Sequence, residues 1–308
     1  MSEVSDGRRA PRRRRAIAAS AVAIVLVFAF GRFIDAPIEP DIPPSGVTVG
    51  APPPDRALRF VVIGDFGEGN TDESAIAAAI RSFDQTDPLD GFVTTGDDVY
   101  DSGDPADFDA AWRQPFGWVQ DSKIPIVASL GNHDVRTDGG RPVMELLGMP
   151  GRWYTETFGP VQFVVLDAND PTNPDQLTFL RESLATSTAR WQVVVFHQPA
   201  FSCGPHGSTA EVDILWVPVF ERYGVDLVLN GHDHDYQRFA PIDGVTYIVS
   251  GGGGSALYTE LDNCDEGTPK PLVAIRVHHF LALTAWGSGL RVVGLSADLQ
   301  PIDAVTLR

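Results

Sequence analysis

The sequence predicts a layered α/β fold, on two observations. From Leu58 onward, short apolar runs alternate with segments of helical periodicity, the pattern of strands interleaved with helices. Five of those runs stop at or near an acidic, amide, phenol or imidazole side chain. Strand ends behave so where they gather at one edge of a sheet. With 308 residues, 43% hydrophobic and 21% charged, the chain can bury a substantial core.

Leu58–Gly64 reads as a buried strand that ends at Asp65. Glu73–Asp84 sets Ile76, Ala79, Ile80 and Phe83 at helical spacing, with Asp72 as its cap. Gly91, Phe92 and Val93 form the run that leads into Thr94–Tyr100 and Asp97. Pro105 opens a second helix carrying Phe108, Ala111 and Trp112. Ile124–Leu130 is a third strand and runs into Gly131-Asn132-His133-Asp134. Residues 152–167 read as a hairpin turning at Gly159-Pro160, and Asp175–Ala185 as an amphipathic helix.

Gln192–Phe196 is a pure β run ending in His197. Val212–Tyr223 is helical and should kink or break at Pro218. Val225–Leu229 leads into Asn230-Gly231-His232-Asp233-His234. After Val245–Ser250, Gly251 to Gly254 lack a following lysine and read as a loop rather than a phosphate cradle. From Leu272 the chain alternates with β period, broken at 287–289 and 298–301.

Ahead of this lies a different kind of sequence. Residues 1–34 hold a basic N-terminus with seven Arg and an apolar run from Ala16 to Gly31, extending to Ile34 if Arg32 snorkels. This is a membrane anchor or a signal segment, and the poor cleavage site favours the anchor. Either way the domain behind it is expected outside the cytoplasm, anchored to the cell membrane or secreted. Residues 35–56 hold seven prolines and read as a semi-rigid linker, leaving 57–308 as the folded domain.

The whole chain carries −18, and the rest is more acidic still because the first 34 residues are basic. No basic stripe could follow a phosphate backbone, which excludes nucleic acid as a partner. An anionic substrate would then need bound metal to hold it. Cys203 and Cys264 are the two cysteines. In an exported chain they are expected to form a disulfide that holds two loops beside the site.

The chemistry concentrates at the strand ends: Asp65, Asp97 with Tyr100, Asn132, His197, and His232 with His234. Any one of these is ordinary as a cap or a buried side chain; five together are not. Asp97 and Tyr100 share a face at i, i+3, and His232 and His234 share one at i, i+2 on extended backbone. Carboxylates, imidazoles and one carboxamide suit hard and borderline cations. Two such ions can clamp a phosphoryl group and acidify a water.

The segments Gly64-Asp65-Phe66-Gly67, Gly96-Asp97-Asp98-Val99-Tyr100, Gly131-Asn132-His133-Asp134, Val194-Val195-Phe196-His197 and Gly231-His232-Asp233-His234 resemble the ordered motifs of calcineurin-like metallophosphoesterases. Tyr100, with Gly67 where many relatives have His, points to the purple acid phosphatase branch, in its short, tartrate-resistant mammalian type. The resemblance covers about residues 58–250. It implies two mixed β-sheets face to face, flanked by helices.

It also implies Fe(III) at Asp65, Tyr100 and His234, and a divalent ion (Fe, Zn or Mn) at Asn132, His197 and His232, with Asp97 bridging. His133 and His206 would be the substrate-facing catalytic histidines. Asp98 and Asp233 read as supporting groups, Asp134 as orienting His133 or a ligand, and His278 and His279 as structural. The expected reaction is hydrolysis of phosphoric monoesters by a metal-bound hydroxide. A phosphodiesterase or nucleotidase on the same site is the alternative enzyme. A membrane-tethered binding module without catalysis is the alternative of another class, and it would be expected to lack ligands.

Overall fold

Alternation within the strands sets the layers. In β1 (Leu58–Ile63), Phe60 and Val62 face one side and Val61 and Ile63 the other, the period of two that the pleat imposes. The computed structural model describes residues 40–41, 44–51, 57–258, 261 and 263–308, all within one unit, Ile38–Arg308. The N-terminal segment 1–34 lies outside the described residues. Among those that are described, no helix is long and apolar enough to cross a membrane.

After β1 come α1 (Thr71–Thr86), β2 (Gly91–Thr94), α2 (Gln114–Asp121), β3 (Ile126–Ala128), α3 (Arg141–Leu147), β4 (Tyr154–Phe158) and β5 (Val161–Val165). Next are α4 (Pro174–Ala185), β6 (Trp191–Val195), α5 (Ala210–Leu215), α6 (Val217–Tyr223), β7 (Leu227–Asn230), β8 (Tyr236–Arg238) and β9 (Thr246–Ser250). β10 (Val273–Ile275), β11 (His279–Trp286), β12 (Gly289–Ser296) and β13 (Pro301–Leu307) complete the order.

Two mixed sheets result, as expected. The first runs β13-β12-β11-β1-β2-β3 and the second β10-β8-β9-β7-β6-β5-β4. β1, β2 and β3 are mutually parallel, and so are β5, β6, β7 and β9. Phe60, Val62, Val93 and Val127 of one sheet pack on Phe163, Val193, Leu227 and Ile248 of the other. Outside the first sheet, Ile76, Ile80, Trp112 and Phe116 cover Val61, Ile63 and Phe92. Outside the second, Leu180, Leu184, Trp216 and Phe220 cover Val164, Val194 and Val228. Parallel strands covered on both faces are apolar throughout, which is why they read so clearly in sequence.

The structure also corrects local expectations. The cap of α1 is Asn70 rather than Asp72: its side-chain oxygen accepts from the Glu73 N–H at 2.8 Å. The helix expected from Pro105 starts later, as one wide π-type turn over Asp109–Arg113 that continues into α2. Pro218 separates α5 from α6, since its ring suits the first turn of a new helix and not the interior of an old one. The short strands β8 and β10 escaped the sequence reading because three residues carry no periodicity. Within the Pro-rich segment, Asp41 pairs with Arg276 at 2.9 Å and Val49 packs against the helix-covered face of the first sheet.

Candidate metal centre

The parallel strands end on a common edge, and the loops leaving β1, β2, β3, β6 and β7 carry Asp65, Asp97, Asn132, His197 and His232. Three of these residues sit at positive φ: Asp65 at 58°, Asp97 at 53° and His232 at 75°. Non-glycine residues adopt that region rarely, and its cost is tolerated where surrounding structure holds a functional side chain in place. Close backbone packing does the holding. A Cβ on Gly131 would come within 2.1 Å of Asp97 Oδ1, and one on Gly231 within 2.3 Å of Asp65 Oδ2. Only glycine lets these loops close over the two carboxylates.

All seven expected ligands converge. The Tyr100 hydroxyl lies 3.0 Å from Asp97 Oδ2, 3.4 Å from Asp65 Oδ1 and 3.1 Å from His234 Nε2. His197 Nε2 lies 3.2 Å from Asp97 Oδ2, 3.2 Å from Asn132 Oδ1 and 3.3 Å from His232 Nδ1. Asp97 Oδ2 is common to the two groups.

The imidazoles are turned by backbone carbonyls. His197 Nδ1 donates to Thr95 O at 2.8 Å and His234 Nδ1 to Ala256 O at 2.7 Å. Each ring therefore presents the lone pair of Nε2 to the centre, as ligating histidines do. Backbone N–H groups fix the carboxylates: His232 N donates to both oxygens of Asp65, and His133 N to Asp97 Oδ1.

The electrostatics suit a cation. Asp65 and Asp97 are buried, and among the described residues no Lys or Arg pairs with either. Burial alone would raise Asp97, but the charge and hydrogen bond of His197 outweigh it and keep the carboxylate ionised. Burial likewise opposes a charge on His197, yet Asp97 and Asp65 bring it up to about 10. Without metal, a proton on His197 is thus the charge between the carboxylates. His232 moves the other way, depressed by burial and by its neighbour His197. Burial, Asp65 and Asp97 hold the Tyr100 phenol well above its ordinary value. Two hard or borderline cations fit this donor set of carboxylates, imidazoles, carboxamide and phenol.

The two histidines expected to face the substrate sit at the rim. His133 packs its ring 4.4 Å from that of Tyr100 and donates from Nδ1 to Asp101 O at 2.8 Å. His206 is exposed and stacks on His232 with centroids 4.2 Å apart. Asp233 accepts from the His206 N–H at 3.0 Å and from the Ser202 hydroxyl, tying that loop to the one that bears His232 and His234. The Cys203–Cys264 disulfide is formed and binds the same loop to the segment after the glycines. Asp134 does not orient His133. Its oxygens accept from Asp98 N, Val99 N and Gly131 N, so it braces the loops that bear Asp97 and Asn132.

Two residues escaped the sequence reading. Tyr258 stacks on His234 at 4.2 Å, and its hydroxyl lies 2.9 Å from His206 Nε2. No motif surrounds it in sequence. Arg136 places Nη2 3.2 Å from His133 Nε2, and the i, i+3 spacing on the turn after His133 was a signal for it. His279, as expected, is structural: it is buried and hydrogen-bonded to Ser250 Oγ and Val277 O.

Comparison with known proteins agrees with this geometry. The family model of the calcineurin-like phosphoesterases matches residues 58–236. Purple acid phosphatase 4 of Arabidopsis thaliana is 31% identical over 240 residues, 67% of this chain and 71% of that protein. Tartrate-resistant acid phosphatase type 5 of Homo sapiens is 27% identical over 237 residues, 64% of this chain and 73% of that protein. The structure of purple acid phosphatase PPD1 from yellow lupin seeds superposes with a TM-score of 0.69 at 20% identity, over 81% of this chain and 53% of that one. The chain belongs to the calcineurin-like phosphoesterase family, in its purple acid phosphatase branch.

Proposed function

We propose that this protein hydrolyses phosphoric monoesters outside the cytoplasm at a dinuclear metal centre. One observation carries the reading: seven donors of the right types converge in one place around two buried carboxylates that have no Lys or Arg partner among the described residues. Asp65, Tyr100 and His234 would hold Fe(III). Asn132, His197 and His232 would hold a divalent ion, Fe, Zn or Mn, with Asp97 shared. When bound, such ions neutralise phosphoryl charge and make water acidic enough to attack near neutral pH.

The remaining work belongs to the protein. Thr95 O and Ala256 O keep His197 and His234 aimed inward. His133 and His206 flank the opening beside the departing oxygen, and His206 is suited to protonate it. The Cys203–Cys264 bond and the basic, apolar N-terminus both support export, because disulfides persist in oxidising compartments.

The test is metal analysis of the purified protein combined with rates on matched monoesters and diesters. About two metal ions per chain and faster monoester turnover are expected. Faster diester turnover would replace the monoester reading. A metal-loaded protein without turnover would favour the binding module. Location is read separately, by protease added to intact cells: the domain should be digested while cytoplasmic markers survive.

A further inference from the structure

We propose that Arg136 is a specificity-determining residue that recognises a second anionic group on the leaving side of the substrate, so that diphosphates are favoured over esters of neutral alcohols. The proposal rests on the phosphatase reading above, in which His133 flanks the departing oxygen.

Arg136 lies in the short turn Asp134–Arg136 that follows the Asn132-His133 loop. Its Nη2 is 3.2 Å from His133 Nε2 and its Nη1 donates to Asp101 O at 3.0 Å. His133 Nδ1 donates to the same carbonyl, so Nε2 is the acceptor for the guanidinium. This is an exposed charge resting on a ring. Arg59, Arg113, Arg141, Arg152 and Arg238 each pair with a carboxylate. Among the described residues, none lies within ion-pair distance of Arg136. A guanidinium with donors to spare is suited to bidentate binding of phosphate.

The surroundings make that position selective. Tyr100 also faces a cleft of about 390 Å³ lined by Glu68, Asp101 and Asp107. An anionic leaving group turned toward that wall would meet carboxylates. Turned toward His133, it meets Arg136. In hydrolysis of a diphosphate, the oxygen of water bonds to one phosphorus and the bridging P–O bond breaks. The departing oxygen leaves as part of the second phosphate, with the protons of water passing to the products or solvent. Arg136 would hold that second phosphate before and during departure.

The experiment is calorimetric titration of the metal-loaded full chain with methylenediphosphonate, which cannot be hydrolysed, and with methylphosphonate. Wild type, Arg136→Ala and Arg136→Lys are compared, with metal content and melting temperature measured for each. Arg136→Ala should weaken methylenediphosphonate about 10- to 100-fold, as expected for a charge-assisted hydrogen-bond pair. Methylphosphonate should weaken far less, and Arg136→Lys should recover part of the diphosphonate affinity. Equal weakening of both ligands would show that Arg136 only supports His133, and no weakening would show that it reads nothing; either result overturns the proposal. Turnover of p-nitrophenyl phosphate by wild type, measured in parallel, tests the phosphatase reading on its own, since binding decides Arg136 even in a chain that does not hydrolyse that ester.

Discussion

The Tyr100 hydroxyl lies 3.0 Å from Asp97 Oδ2, and both groups are buried. The same oxygen lies 3.2 Å from His197 Nε2, so one atom is common to both donor groups. Removing it should therefore act on both metals, whereas removing a donor at one end should act on one. Asp97→Ala is expected to leave well under one metal ion per chain. Asn132→Ala and His234→Ala should each retain about one of the two. Elemental analysis after gel filtration checks this. Two retained metals in Asp97→Ala would refute the shared position.

Tyr100 itself should select the kind of metal. Burial and the two carboxylates hold its proton on, so a weakly charged cation would gain little from the phenol. A trivalent ion can displace that proton, and iron(III) phenolate absorbs visible light. Oxidised wild type is expected to be pink to purple. Tyr100→Phe keeps the ring and loses the colour, while Asp97 still allows two divalent ions and residual hydrolysis. The visible spectrum and iron content decide it. A colourless, iron-free, fully active wild type would refute the role given to Tyr100.

The sequence made the strand ends legible because strands covered on both faces must be apolar, so a polar stop stands out. Asp65, Asp97, Asn132, His197 and His232 all follow such runs. The glycines beside them were legible as motif letters. Their physical reason, the 2.1 Å and 2.3 Å approaches that a Cβ would make to Asp97 and Asp65, needed coordinates. Tyr258 was illegible: it reaches His206 and His234 from a coil with no periodicity, across 52 and 24 residues of sequence. The cap of α1 was misread for a local reason. Asn70 and Asp72 both suit an N-cap, and only the bond from Glu73 N chooses between them.

Tyr258 should matter through His206. Its hydroxyl is 2.9 Å from His206 Nε2, and its ring is stacked on His234. Tyr258→Phe keeps the stack and removes the hydroxyl, so metal content should hold while turnover falls by about 3- to 10-fold, the cost of one hydrogen bond. His206→Ala should cost about 10²–10⁴-fold if His206 is the acid, and less if it only binds. The double variant should resemble His206→Ala alone, because the tyrosine acts on the histidine. Additive losses in kcat/KM would show that Tyr258 works independently.

Glu73 should make stability depend on pH without involving the metals. It is buried in the first turn of α1, where Oε2 accepts from the Gly69 N–H and Oε1 has no partner. A helix N-terminus and that N–H favour the ionised carboxylate, but burial outweighs them and pushes Glu73 up to about 8. From the ordinary value of 4.5 to about 8, the folded chain therefore holds a proton that the unfolded chain has lost. Stability should fall as pH rises through that window, by at most about 1.4 kcal/mol per pH unit from this group. Glu73→Gln cannot titrate, and its amide oxygen can still accept from Gly69. Urea unfolding from pH 5 to 9 at fixed metal concentration should show wild type losing stability relative to Glu73→Gln, with the curves running parallel above about pH 8. Parallel curves over the whole range would mean that Glu73 ionises as readily in the folded chain as in the unfolded one.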